Sequence, residues 1–421
     1  MNYLTGGRRI VVSSLKNIFT FHFTILFLSR IVSKLGDWIY LVVISLIIAE
    51  HNPAWIPLLF LMKITANFVF SFIAGSIVDR LGPKFTSISS DIGRAFAIAL
   101  MPFFLDSYIL FLLVFIDHML STFFSAALTP ILTKTTTKEN RHTANSLMEM
   151  IVPFSQFIGP FIGTLLLLIN QAFSFYIQSI TFILSAFSLI FIPYRDDVRK
   201  GNPLDGYKKS IAILCDDIMF AGRYLWENHI LKNTTLAMTL FILGSTVIDA
   251  YEVLYITRTL GLQEEYYAII ISFGGVAYFI STLSNVLLSQ RLGLHNLFFV
   301  GLLLSILGNV IFVLATNVPM LMIALILMAI GGTPFFVTIF TVMQNIVPIE
   351  YQGRVSSIQD VLPSAAAIVA TAVSSLFFYV EDLRIMLIIS ACVMFLATIP
   401  GFFAYRGMKD SHNSASSLVD L

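Results

Sequence analysis

Seven ionisable side chains fall inside long apolar runs of this 421-residue chain: Arg30, Lys34, Asp37, Lys63, Asp117, Asp249 and Glu252. At the centre of a bilayer each costs about 2.5–3.5 kcal/mol on insertion scales. They are tolerable only where they border a wet cavity or pair with one another. Arg30, Lys34 and Asp37 are four and three residues apart, which puts them on one face of a helix. A carboxylate walled by apolar groups can take up and release a proton near neutral pH, the chemistry a proton-coupled carrier needs. Asp37 is the leading candidate for that acid, with Asp117 and Asp249 as alternatives. The opposing reading is that Asp37 simply neutralises Lys34 or Arg30, because a close cation favours the charged form. His118 beside Asp117 is either its proton partner or a helix–helix hydrogen-bonding group.

The elements that carry these residues are membrane helices. The composition is 57% hydrophobic and only 12% charged, with a mean hydropathy of +0.87; soluble domains carry about 25% charge. A helical crossing takes roughly 20 apolar residues, and lipid offers unpaired backbone groups no partner. Twelve spans are expected, near 20–49, 57–78, 85–104, 109–132, 144–168, 172–193, 234–257, 267–289, 297–316, 320–344, 357–380 and 383–404. With both termini cytoplasmic, the inner segments hold 19 Lys and Arg and the outer ones only Arg258 and Arg384. That bias sets the orientation of a multi-pass protein in the cytoplasmic (inner) membrane. Arg8-Arg9 precede an uncleaved first helix rather than an export signal. Cys215 and Cys392 do not suggest a disulfide framework.

Between spans 2 and 3 lies Gly75-Ser-Ile-Val-Asp79-Arg80-Leu-Gly82-Pro-Lys84. Its Gly residues suit tight packing and a sharp turn. Asp79, Arg80 and Lys84, with Asp91 and Arg94 close by, read as a conformational latch, the carboxylate facing the positive end of a neighbouring helix. A purely topogenic role for Arg80 and Lys84 is the alternative. A shift of 211 aligns Arg80-Leu81-Gly82 with Arg291-Leu292-Gly293, and a shift of 210 aligns Val152-Pro153 with Leu362-Pro363. Such self-similarity marks an internal repeat of two six-helix halves. The expected division is a bundle over 1–195, a linker over 196–232, a second bundle over 233–405 and a cytoplasmic tail over 406–421. In the linker Ile211, Leu214, Ile218, Ala221 and Leu225 recur at helical spacing, as in an amphipathic helix lying on the membrane surface.

The chain resembles the major facilitator superfamily, and within it the branch of macrolide-efflux proteins and the enterobactin exporter. The resemblance is carried by Leu35-Gly36-Asp37-Trp38, the 75–84 loop, Ser90-Asp91 with Arg94, and Ala144-Asn145-Ser146-Leu147. Gly159-Pro160-Phe-Ile-Gly163 and Gly353-Arg354-Val355-Ser356 add to it, over about residues 20–405. It implies an all-α membrane fold of twelve helices in two pseudo-symmetric bundles, with spans 1, 4, 7 and 10 lining a central cavity. Asp37, Asp117 and Asp249 then stand at comparable depth, at about 1.5 Å per residue, and Gly331-Gly332-Thr333-Pro334 in span 10 is expected to break the helix. Many drug/proton antiporters of the family carry an Arg in span 4. This chain has Asp117-His118 there, leaving Arg30 or Lys34 to supply the cation. Pro153, Gly159, Pro160 and Gly163 are expected to kink span 5 and admit its partner. In related sequences a Gly-Pro-x-x-Gly element accompanies export, and only the tail of the longer motif is present here.

Enzymatic readings find no support. The seven histidines fall in separate segments without a metal-ligand pair, and no phosphate-binding glycine loop is present. No catalytic residue, metal or cofactor is expected, and no basic-aromatic stripe points to nucleic acid. The expected partners of a monomeric chain are protons, the lipid bilayer and an amphiphilic small molecule, a drug or a siderophore, exported by proton-coupled alternating access. Uptake of a nutrient or metabolite on the same fold is the alternative.

Overall fold

Helix is the regular element throughout the described residues, because an α-helix alone satisfies its backbone hydrogen bonds within one crossing segment. The computed structural model describes residues 19–137, 141–167, 169–192, 219–220, 222–376 and 383–419. In chain order the helices are α1 (Phe21–His51), α2 (Ile56–Leu81), α3 (Pro83–Leu100), α4 (Ile109–Thr135), α5 (Arg141–Leu167) and α6 (Gln171–Ile190). They continue as α7 (His229–Leu254), α8 (Glu264–Leu292), α9 (Leu294–Leu314), α10 (Val318–Ile346), α11 (Ile349–Leu376), α12 (Leu383–Leu396) and α13 (Thr398–Val419). Each expected span is met by a helix. Side-chain caps start several of them: Thr20, Asn170, Asn228 and Asn317 accept hydrogen bonds from first-turn N–H groups.

Among the described residues nine helical stretches are long and apolar enough to cross a membrane by composition alone. α3, α5 and α11 fall short. In α3 the reason is visible, since Thr86, Ser87, Ser90, Asp91 and Arg94 are buried against neighbouring helices rather than turned to lipid.

Contacts divide the chain into two units, Met1–Asn52 with Thr65–Lys200, and Pro53–Ile64 with Gly201–Leu421. The start of α2 therefore groups with the second unit. In the first unit α1 packs on α5 and α6, and α3 on α4 and α6. In the second, α7 packs on α11 and α12, and α9 on α10. These are the same pairings one repeat later. The repeat reaches the backbone too: Gly82 (φ 90°, ψ 138°) and Gly293 (φ 72°, ψ 152°) occupy the equivalent turns, α2 to α3 and α8 to α9. An L side chain is strained in that conformation, so the paired Arg-Leu-Gly is one turn geometry used twice.

Two sequence expectations change here. α10 runs unbroken through Pro334. Its glycines serve backbone approach instead: a Cβ on Gly331 would stand 2.5 Å from the Gly301 carbonyl oxygen of α9, and one on Gly301 would stand 2.7 Å from that of Gly331. Gly75, expected to pack tightly, is exposed, and a Cβ there would meet nothing within 4 Å. α5 likewise continues through Pro153 and Pro160. Its Gly159 would place a Cβ 2.5 Å from that of Trp38, and Gly163 one 3.0 Å from the Ile39 carbonyl oxygen, so both let α5 lie against α1. Most of the linker helix lies outside the described residues. Its end, 222–227, is helical, with Leu225 buried beside Leu231, Met343, Val347 and Val355.

Gly82→Ala and Gly293→Ala are each expected to lower stability by about 1–3 kcal/mol, read as a drop in melting temperature of the purified protein. Gly75→Ala should leave it unchanged.

Candidate functional site

α1, α3, α4 and α6 of the first unit converge on one guanidinium. Arg94 of α3 is 1% exposed. Its Nε donates to Asp117 Oδ1 of α4 at 2.9 Å and its Nη2 to Asp37 Oδ1 of α1 at 2.8 Å. The face of the group lies over the Phe182 ring of α6, 3.9 Å from the centroid. Arginine suits this position because its planar fork serves two carboxylates while stacking on an aromatic face, which an ammonium cannot do.

Asp37 is held from the other side as well. Lys34 Nζ donates to its Oδ2 at 2.6 Å, and Gln178 Nε2 of α6 donates to Oδ1 at 3.3 Å. The pairing with Lys34, raised as the opposing reading of the sequence, is present. The approach of Gln178 depends on Gly36, where a Cβ would fall 1.5 Å from the Gln178 Oε1. Accessibility separates the two acids: the Asp37 side chain is 21% exposed and that of Asp117 1%. Tyr40, one turn beyond Asp37 on α1, is buried in electrostatic reach of Asp117, Arg94 and Asp37.

A second polar line runs beside the first. Ser185 Oγ of α6 donates to Asp91 Oδ2 at 2.5 Å, and the Ser29 and Ser185 hydroxyls are 2.7 Å apart, so Ser29 donates to Ser185. Asp91 Oδ1 and Arg94 Nη1 are buried without a hydrogen-bond partner among the described residues. Arg30 lies over the Phe124 ring of α4 at 5.4 Å. Across α1, α3 and α4 the cations Arg30, Lys34 and Arg94, the first two half-buried and the last buried, thus match the carboxylates Asp37, Asp91 and Asp117. That balance is what lets so many charges share an apolar interior.

The grouping differs from that expected of the sequence. Arg94 and Asp91 join the cavity acids and α6, not the 75–84 turn. Arg94, rather than Arg30 or Lys34, supplies the cation of Asp117. His118 Nε2 stands 4.0 Å from Asp117 Oδ2. Lys84 Nζ donates to the carbonyls of Ile190 and Ile192 at 2.8 and 2.7 Å, capping the end of α6. Arg80 ends α2, and the side chain of Asp79 lies outside the described residues. Asp249 and Glu252 sit on α7 of the second unit, with Lys63 in electrostatic reach of Asp249. Gln178, Phe182 and Ser185 were not anticipated. Their signal was available, since Ser174, Gln178, Phe182 and Ser185 follow four, four and three apart along α6, one buried face with three polar members.

Removing one member of a buried ion pair leaves the other uncompensated, at about 3–5 kcal/mol. Asp117→Leu is expected to lower stability by that order. Joint replacement of Arg94 and Asp117 by leucine should cost less than the two single losses added together, measured by a double-mutant cycle on thermal unfolding.

The family described as Major Facilitator Superfamily matches this chain over residues 26–250 and 234–418. A curated relative, the uncharacterized MFS-type transporter YfiS of Bacillus subtilis (strain 168), is 23% identical over 347 residues, covering 78% of this chain and 79% of its own. Among solved structures, the nucleoside transporter NupG aligns with a TM-score of 0.72 at 13% identity, over 91% of this chain and 99% of that one. A POT family transporter in complex with 5-aminolevulinic acid aligns with a TM-score of 0.75 at 13% identity, over 92% and 96%. Twelve spans in two repeated bundles, the paired glycine turns and these alignments agree: the chain belongs to the major facilitator superfamily.

Proposed function

We propose that this transporter exports an amphiphilic small molecule by proton-coupled alternating access, from the cytoplasmic membrane and with both termini cytoplasmic. The observation that carries the reading is the position of Asp37, the most accessible acid of the first unit's charge cluster. It is shared by Lys34 and Arg94, and so ties α1 to α3. A proton taken up on Asp37 cancels its charge, weakens both ion pairs and frees α1 from the α3–α4 pair that Arg94 and Asp117 hold together. Loss of the proton restores the tie. A cycle of this kind converts a proton gradient into a change of helix packing without any covalent chemistry by the protein.

The turn from α2 to α3 complements this switch. Gly75, Asp79, Arg80, Gly82 and Lys84 act as the conformational latch, and Lys84 already fastens α3 to the end of α6. Gly159 and Gly163 support the exporter assignment through the resemblance of their motif to the macrolide-efflux and enterobactin-exporter branch.

The test is Asp37→Asn in energised inverted vesicles with labelled macrolides and siderophores and an imposed pH gradient. Gradient-driven uptake into the vesicles is expected to fall at least about tenfold, the scale of one lost ionic contact, at unchanged protein level. Undiminished gradient-driven flux in the variant overturns the coupling role. Accumulation in energised whole cells, rather than depletion, overturns export in favour of uptake.

A further inference from the structure

We infer that Asp249, Glu252, Tyr267 and Tyr278 form a recognition site for a lipophilic organic cation. The inference rests on the carrier reading and deepens it, because it decides the charge of the cargo: positive, not the carboxylate of a siderophore.

All four residues lie in the second unit, on α7 and α8. Asp249 and Glu252 are three residues apart and share a face of α7. Around them Ile248, Ala250, Tyr251, Val253 and Leu254 are buried, whereas Asp249 is exposed and Glu252 half-buried. Surrounding protein strips water from both carboxylates all the same. Exposure together with that desolvation describes a crevice rather than an outer surface.

Tyr267 and Tyr278 are eleven residues apart, three turns of α8, and both are in electrostatic reach of both carboxylates. Tyr267 is 6% exposed. On the α10 side Tyr278 lies beside Gly332, where a Cβ would make an ordinary contact with the Tyr278 hydroxyl at 3.6 Å. The lining is therefore two acids and two aromatic rings.

Charge decides what this lining accepts. In the first unit's cluster cations and carboxylates match. In the second, Lys63 acts on Asp249, while the charged neighbour of Glu252 is Asp249 itself, of the same sign. A carboxylate inside a membrane span that faces no cation among the described residues is costly, and a cationic ligand removes the cost. The rings of Tyr267 and Tyr278 add attraction for a cation on their faces, and an apolar body suits the surrounding side chains. An anion meets two like charges here.

The test is equilibrium binding of tetraphenylphosphonium and tetraphenylborate, ions of nearly one shape and opposite charge, to the purified full-length protein. Saturable phosphonium binding without borate binding is expected. Glu252→Gln should weaken phosphonium binding about tenfold or more with melting temperature unchanged. Tyr278→Leu, which leaves every charge in place, should weaken it about threefold and serves where the first variant does not fold. Preference for borate, binding of neither ion, or wild-type phosphonium affinity in a folded variant overturns the site. Flux in proteoliposomes separates the two readings: phosphonium bound but never moved counts against the carrier and leaves the site standing, whereas movement of anionic cargo alone overturns the site and leaves the carrier.

Discussion

One buried guanidinium organises the first half of this transporter. Arg94 has no water to return to, so its positive charge must be met by carboxylates brought to it, and those carboxylates come from two other helices. Asp37 fixes the facing of α1 and Asp117 that of α4, while Phe182 presents α6 to the plane of the group. Packing among apolar side chains alone leaves helices in lipid free to rotate against one another, since lipid tails are as apolar as leucine. An ion-pair hub removes that freedom. The price is a set of helices that cannot separate without exposing charge, unless a proton neutralises one member first.

The second half solves the same packing problem with other chemistry. There the closest approaches are made by glycines, Gly301 against Gly331 and Gly244 against the Ser390 carbonyl. Tyrosines tie the ends: Tyr251 donates to the Ser374 carbonyl at 2.8 Å, and Tyr255, in the π-helical turn Tyr255–Thr259 that prolongs α7, donates to those of Val313 and Ala315 at 2.7 and 2.9 Å. Two bundles with one set of helix pairings thus hold together differently. The first is joined by ion pairs between helices; the second is fastened by glycine approaches and tyrosine hydrogen bonds.

Much of this is legible in the sequence. Apolar runs longer than about 20 residues dictate crossing helices, and a repeated Arg-Leu-Gly announced two halves because the turn it encodes accepts only glycine. The candidate acids were legible because charge inside an apolar run has few explanations. Which charges meet was not. Spacing along one helix put Lys34 beside Asp37, but contacts between helices depend on their mutual rotation, which hydropathy does not encode. Arg94 looked like a neighbour of the Gly82 turn because it is near in sequence. In a helix rising about 1.5 Å per residue, twelve residues carry it well into the membrane. Gly331-Gly332-Thr333-Pro334 misled in the opposite way: glycines beside a proline read as a break when considered alone, and as a close helix contact once α9 is there to fill the space.

Gly36 and Gln178 are linked by space rather than by bonding. A methyl group at 36 would overlap the Gln178 amide, with 1.5 Å between the two atoms, so a side chain at 36 requires that amide to move aside. A descendant of this chain that acquired alanine at 36 would turn the Gln178 amide away or shorten the residue there, and would thereby disturb a donor to Asp37. Across distant relatives a larger residue at 36 should therefore go with a rearranged or shorter side chain at 178. Drift on α1, seemingly far from any cargo, is in this way bound to the strength with which the accessible carboxylate is held.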